Sequence, residues 1–226
     1  MGLILSIETS TPVCSVSLHQ QGNVIGLSEF FEGQSHSKLL MEQINFLVKQ
    51  AEFHLSDLDA IAVSGGPGSY TGLRIGVATA KGLCFTIEKP LISVNTLEAM
   101  AYGVNQTNPE HYNLCTMIDA RRMEVYCTLV DSSQNVLVPT QALIIDEGSF
   151  EKELQGHKIL FFGNGSEKCK QLLSDKTNAL FINNVYPSAI NVGYLAFLKY
   201  QKGIFEDVAY YEPNYLKEFN STQKKS

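Results

Sequence analysis

The chain has no apolar run long enough to cross a bilayer, and its opening Leu3–Ile7 run stops at Glu8. Neither a membrane span nor a secretory leader is expected. It also lacks a Cys-x-x-Cys pair. Its cysteines (Cys14, Cys84, Cys115, Cys127, Cys169) are odd in number and sit mostly in apolar stretches, which reads as buried free thiols in a reducing cytosol. Basic residues are few: 17 Lys and Arg face 23 Asp and Glu, the net charge is -6, and the one basic cluster is Lys224-Lys225. This excludes a large nucleic-acid surface, because phosphate neutralisation needs gathered cations. The histidines (His19, His36, His54, His111, His157) show no ligand spacing, and no Ser/His/Asp or Cys/His arrangement stands out. No catalytic residue and no metal ligand is assigned. Fixed-period repeats and low-complexity segments are absent too. What remains is a 226-residue chain, 44% hydrophobic and 18% charged, composed as a soluble cytoplasmic protein with a substantial core.

The most informative stretch runs from Ala60 to Ile87. The apolar run Ile61-Ala62-Val63 stops at Gly65-Gly66-Pro67-Gly68-Ser69, and a helical pattern starts at once. A strand, glycine turn and helix aim backbone N–H groups at one spot where an anion can sit. There is no Gly-Lys-Ser/Thr ending, so no lysine is placed for a β- or γ-phosphate. Gly66, Gly68 and Ser69, with Glu8, Thr9 and Ser10 at the end of the first strand, are the candidate nucleotide-binding residues. The competing reading of both segments is a tight turn and nothing more.

Periodicity divides the chain in two. Strands near Leu3–Thr9, Val13–His19 and Val24–Phe31 precede a helix over Ser37–Phe53. Strand Ala60–Ser64, helix Thr71–Ile87, strand Leu91–Val94 and a helix from Thr96 complete residues 1–105. Three antiparallel strands followed by βαβα predict an α/β acetate-kinase/Hsp70/actin-like (ribonuclease H-like) fold. Residues 106–226 form a second α/β subdomain with strands at 113–118, 125–130, 136–145, 159–162 and 179–182. Helices are expected from Ser166 and over Pro187–Gln201, the last free to pack back on the first subdomain. The second unit is too short to be a full copy of a large ATP-clamping domain, so two subdomains are expected with the second reduced.

Two helices carry more apolar surface than one core needs. On a helical wheel Leu40, Met41, Ile44, Leu47, Val48 and Ala51 fill one arc, while Leu39, Phe46 and Phe53 recur about 150° away. In the next helix Gly72, Gly76, Ala80 and Cys84 form a stripe of small residues. Each helical glycine costs about 1 kcal/mol relative to alanine, so close packing must compensate. That packing involves either the chain's own sheet or a partner helix lying across both, with Leu39, Phe46, Phe53, Gly72, Gly76 and Ala80 as the interface.

These residues resemble a known family. Ile7–Leu18 (IETSTPVCSVSL), His36–Leu40 (HSKLL), Gly65–Leu83 (GGPGSYTGLRIGVATAKGL), Val94–Ala101 (VNTLEAMA), Asp119–Tyr126 (DARRMEVY), Tyr186–Ala189 (YPSA) and Glu212–Phe219 (EPNYLKEF) are similar, in order, to the TsaB (YeaZ) family. The resemblance implies a part in placing threonylcarbamoyl on N6 of adenosine 37 in tRNAs that read codons beginning with A. It implies a catalytically silent relative of the transferase TsaD that heterodimerises with it and is joined by the ATPase TsaE, with tRNA met through the complex. Where TsaD carries two histidines four residues apart, this chain has Thr96 and Met100, which cannot replace them on the metal. A homodimer through the same surface is expected when TsaD is absent. ATP or ADP is placed, if anywhere, at the subunit boundary. The alternative is a small nucleotide-binding phosphotransferase or ATPase of the same superfold using Glu8 and the Gly66–Ser69 turn.

Overall fold

The computed structural model describes residues 2–31 and 36–217. β1 (Leu3–Glu8), β2 (Cys14–Gln20) and β3 (Asn23–Phe30) lead into α1 (His36–Gln50), β4 (Ala60–Ser64), α2 (Tyr70–Ile87), β5 (Leu91–Val94) and α3 (Thr96–Asn105). The first sheet has the order β3-β2-β1-β4-β5. β1 is antiparallel to β2 and parallel to β4, and β4 is parallel to β5. This is the ribonuclease H-like half of the acetate-kinase/Hsp70/actin fold.

β1 is buried on both faces because helices cover both. Leu5 and Ile7 pack with Ile44, Leu47, Val63 and Val77 beneath α1 and α2. Ile4 joins Ala62, Ile92 and Val94 against Val192 and Ala196 of α5 (Ala189–Gln201). A strand buried on both sides reads as a continuous hydrophobic run rather than an alternation.

The second sheet repeats the first. β6 (Asn113–Asp119), β7 (Glu124–Val130) and β8 (Val136–Ile144) are antiparallel, then β9 (Ile159–Phe162) and β10 (Ala179–Phe181) add parallel to β6, giving β10-β9-β6-β7-β8. The sheet is therefore complete, and the expected reduction lies in the helices. α4 (Ser166–Leu173) has 8 residues, and 145–158, which occupies the place of α1, is turns.

α3 and α5 lie between the sheets. Leu97, Met100 and Ala101 of α3 meet Leu114, Ile118 and Phe162 of the second sheet. α5 closes on the first: Ala189 N–H donates to Ser15 Oγ at 2.9 Å, and Ser17 Oγ donates to the Ala189 carbonyl at 2.7 Å. After α5 the chain turns back as an extended strap, 204–217. Glu206 N–H donates to the Leu91 carbonyl on the β5 edge, and Asn214 N–H donates to the Gly65 carbonyl at 2.7 Å. The first subdomain is thus closed by residues from the far end of the sequence.

Candidate functional site

The glycine turn links β4 to α2 at the sheet's C-terminal end. Gly66 has φ +103°, open only to glycine at low cost. Ser69 caps α2 by accepting from Gly72 N–H at 3.2 Å. All six candidate nucleotide-binding residues are brought together here, but they are used against one another. Ser69 N–H donates to the Ser10 carbonyl at 2.6 Å, and a methyl on Gly68 would collide with that same carbonyl. Thr9 Oγ1 donates to the Gly72 carbonyl at 2.8 Å. The two candidate segments are in direct contact.

Glu8 lies beneath them, fully buried. Its Oε1 accepts from Ser10 N–H at 2.5 Å, while its Oε2 and the nearby hydroxyls of Ser10 and Ser64 have no partner among the described residues. Burial raises the carboxyl's pKa above the ordinary range, opposed by the nearby Ser10 and Ser64 hydroxyls and by the Ser10 N–H. The strap roofs the turn from outside. Tyr211 Oη meets Ser93 Oγ at 2.5 Å, and Lys81 Nζ donates to the carbonyls of Ala209 (3.1 Å) and Tyr211 (2.9 Å).

The two positions that the resemblance sets against a histidine pair of TsaD are also closed. Thr96 and Met100 are 0% and 1% exposed, with Met100 packed among Leu114, Ile118 and Phe162. Among the described residues no group of three His, Cys, Asp or Glu side chains gathers to hold a metal. Cys115, Cys127 and Cys169 share the second core, where burial pushes their thiols up, Cys127 to about 12 and Cys169 to about 11.

The interface residues read from the helical wheel need correction. Gly72, Gly76 and Ala80 are buried inside this chain. A methyl at Gly72 would strike the Thr9 carbonyl, and one at Gly76 the Thr9 hydroxyl. The small-residue stripe serves close approach of α2 to the end of β1, leaving none of it for a partner helix. Phe53 is not on α1 at all. The helix ends at Gln50, Glu52 takes φ +59°, Phe53 N–H reaches back to the Val48 carbonyl at 3.0 Å, and the ring packs on the first core. This resembles a Schellman ending. Leu39 is half-buried, and Phe46 is 61% exposed.

What sequence reasoning missed is the outward face of α2. Thr71, Arg74, Ala78, Gly82 and Phe85 are all exposed, Phe85 by 83%, and a methyl on Gly82 would meet nothing within 4 Å. The signal was present: residues 71, 74, 78, 82 and 85 recur at helical spacing on the side away from the Gly72–Cys84 stripe. α1, which packs against α2, exposes Phe46 and, about 140° round its axis, Met41, which the wheel sets in the core-facing arc. Two adjacent helices therefore each expose a large aromatic side chain, and α2 adds two small exposed positions where another backbone can approach.

Known proteins place this architecture. A family model described as TsaD, tRNA N6-adenosine threonylcarbamoyltransferase, matches residues 31–221. The tRNA threonylcarbamoyladenosine biosynthesis protein TsaB of Bacillus subtilis is 30% identical, over 95% of this chain and 93% of its own length. That of Escherichia coli is 31% identical, over 95% and 94%. The solved structure of YeaZ from Pseudomonas aeruginosa has a TM-score of 0.84 at 24% identity, covering 96% of this chain and all of that one. It shares the fold, as more distantly does an activator of 2-hydroxyisocaproyl-CoA dehydratase from Clostridium difficile (TM-score 0.51, 10% identity, 89% of this chain and 96% of that one). The chain belongs to the TsaB (YeaZ) family of tRNA threonylcarbamoyladenosine biosynthesis proteins.

Proposed function

We propose that this chain is a non-catalytic subunit of the machinery that installs N6-threonylcarbamoyladenosine on tRNA, heterodimerising with the transferase TsaD and assembling with TsaE. The observation that carries this reading is the exposure of Phe46 on α1 and Phe85 on the neighbouring α2, the proposed anchors, with Ala78 and Gly82 as the close-approach positions. Exposed aromatics beside small residues suit a partner helix that supplies the cover. Without TsaD the same face pairs two copies of this chain. The silent-subunit reading is supported by Thr96 and Met100, packed in the core where TsaD has its histidines. The phosphotransferase alternative draws no support from a turn pressed onto Ser10 and roofed by the strap. ATP or ADP, if it takes part, belongs at the subunit boundary.

Threonylcarbamoyl transfer from threonylcarbamoyl-AMP to tRNA tests the proposal, with this chain alone, TsaD with TsaE, and all three together. Transfer only in the complete mixture is expected, and transfer by this chain alone would overturn it. Phe46→Asp and Phe85→Asp should each abolish co-elution with TsaD while leaving the circular dichroism melt in place. Undiminished co-elution would remove the interface assignment.

A further inference from the structure

Arginine is scarce here: Arg74, Arg121 and Arg122 are the whole complement, and the strap links the helix that carries the first to the turn that carries the other two. A chain of contacts joins them. The Arg74 guanidinium lies over the Tyr70 ring, 4.5 Å from its centroid, and Tyr70 rests against Tyr215 with centroids 4.8 Å apart. Two residues further along the strap, Lys217 is ion-paired with Glu124 at the start of β7. Glu124 N–H donates to the Arg121 carbonyl at 3.2 Å, closing the β6–β7 turn.

In that turn Arg121 and Arg122 have φ of 68° and 48°, in the left-handed region, and both are exposed. Neighbouring acids are already engaged, Asp119 by Lys168 and Glu124 by Lys217. No arginine is ion-paired among the described residues. A chain of net charge -6 thus keeps two adjacent guanidinium groups without a carboxylate partner among the described residues, joined by the strap to two phenol rings tilted 40° to one another.

We propose that the β6–β7 turn with Arg121 and Arg122, together with Tyr215 of the strap that is tied to it through Lys217, is a contact surface for the phosphate backbone of a folded RNA. Guanidinium groups grip phosphate oxygens in pairs, and a half-buried aromatic pair offers a stacking edge to an unpaired base. The low net charge, which excludes a broad nucleic-acid face, does not exclude a local one, since phosphate contacts act within about a Debye length of 10 Å. The inference rests on the tRNA-modification reading and names the side of this subunit that meets the RNA.

The test uses the full chain, alone and bound to TsaD, with an unmodified tRNA transcript, read by fluorescence anisotropy between about 50 and 200 mM salt. The expected result is that Arg121→Glu with Arg122→Glu weakens binding at least tenfold. It should also flatten the slope of log affinity against log salt by roughly 1.5, the share of two phosphate contacts. Tyr215→Ala should weaken binding with the slope kept. The melt and co-elution with TsaD should be unchanged. Equal affinity and slope in wild type and double variant would overturn the proposal, as would no tRNA binding by wild type in either state. Loss of co-elution with RNA binding intact would overturn it in favour of a protein partner. Failure of the wild-type chain to co-elute with TsaD would sink the subunit reading instead, while anisotropy on the chain alone still judges this surface.

Discussion

Glu8 and His19 are buried ionisable groups whose charge the fold opposes, and they respond to pH in opposite senses. Glu8 is fully buried with its carboxyl pKa raised, chiefly by burial. An acid whose folded pKa exceeds its unfolded value near 4.5 contributes stability that is complete below that value and lost as pH rises through the folded one. Glu8→Gln should therefore hold or raise the melting temperature at neutral pH, with the gain vanishing in acid. A melt lowered by several degrees at pH 7 would mean that the ionised carboxylate has a favourable partner there. His19 lies between β2 and α5, its ring edge-on to Tyr194 at 5.1 Å, and a methyl on Gly193 would strike it. Burial lowers its pKa to about 4, opposed by the nearby Ile190 carbonyl, an acceptor for the protonated ring. That stability is present above about 6.5 and lost as pH falls through about 4. Denaturation in urea should show a loss on the order of 2 kcal/mol across that window, after allowing for screening by nearby solvent. His19→Gln should remove this step, and an unchanged pH profile in that variant would place the acid sensitivity elsewhere. Both residues are plain in the sequence, yet their burial is not, because Glu8 is enclosed by a turn 60 residues away and His19 by a helix near the other end of the chain.

For helices, periodicity reveals faces without saying what each face meets. The Gly72–Cys84 stripe was legible as a close-packing surface, but the wheel could not tell Thr9 of the same chain from a partner backbone. The Phe46 side of α1 was legible and is exposed, whereas Phe53 was assigned to it by extending the period past a left-handed turn that the sequence does not announce. These assignments separate experimentally. Gly72→Ala should destabilise the isolated chain by on the order of 3 kcal/mol or prevent folding, since its neighbour is backbone that cannot yield. Gly82→Ala meets open space and should stabilise the isolated chain by about 0.5–1 kcal/mol through helix propensity, while weakening assembly with TsaD by filling the approach position. A thermal melt checks the first effect and titration calorimetry the second. Stabilisation with undiminished TsaD affinity would show that Gly82 lies outside the contact.

At the scale of the whole molecule, the first sheet is legible from its short turns and apolar strands, and the strand runs of the second are too. Their equivalence is not, because the two halves share topology without shared residues, and the insertion that forms α1 in one is turns in the other. The strap is the least legible part. Its residues lack periodicity and take their extended path from what they touch: the Leu91 carbonyl, Lys81, Ser93 and the Gly65 carbonyl. Val208 and Tyr211 add apolar cover to the first core. Without the strap, β5 would present an open parallel edge, and the glycine turn would lose its roof. A chain ending at Lys202 should lose on the order of 3 kcal/mol, the sum of two partly buried side chains and several hydrogen bonds. Amides of β5 and the Gly65 turn should exchange with solvent fastest. Tyr211→Phe, which removes the Ser93 contact alone, should cost about 1 kcal/mol. If the shortened chain melts where the full one does and β5 keeps its protection, the strap is a passenger on a finished sheet. If β5 opens first, the sheet that carries the α1 and α2 face depends on the last described residues of the chain.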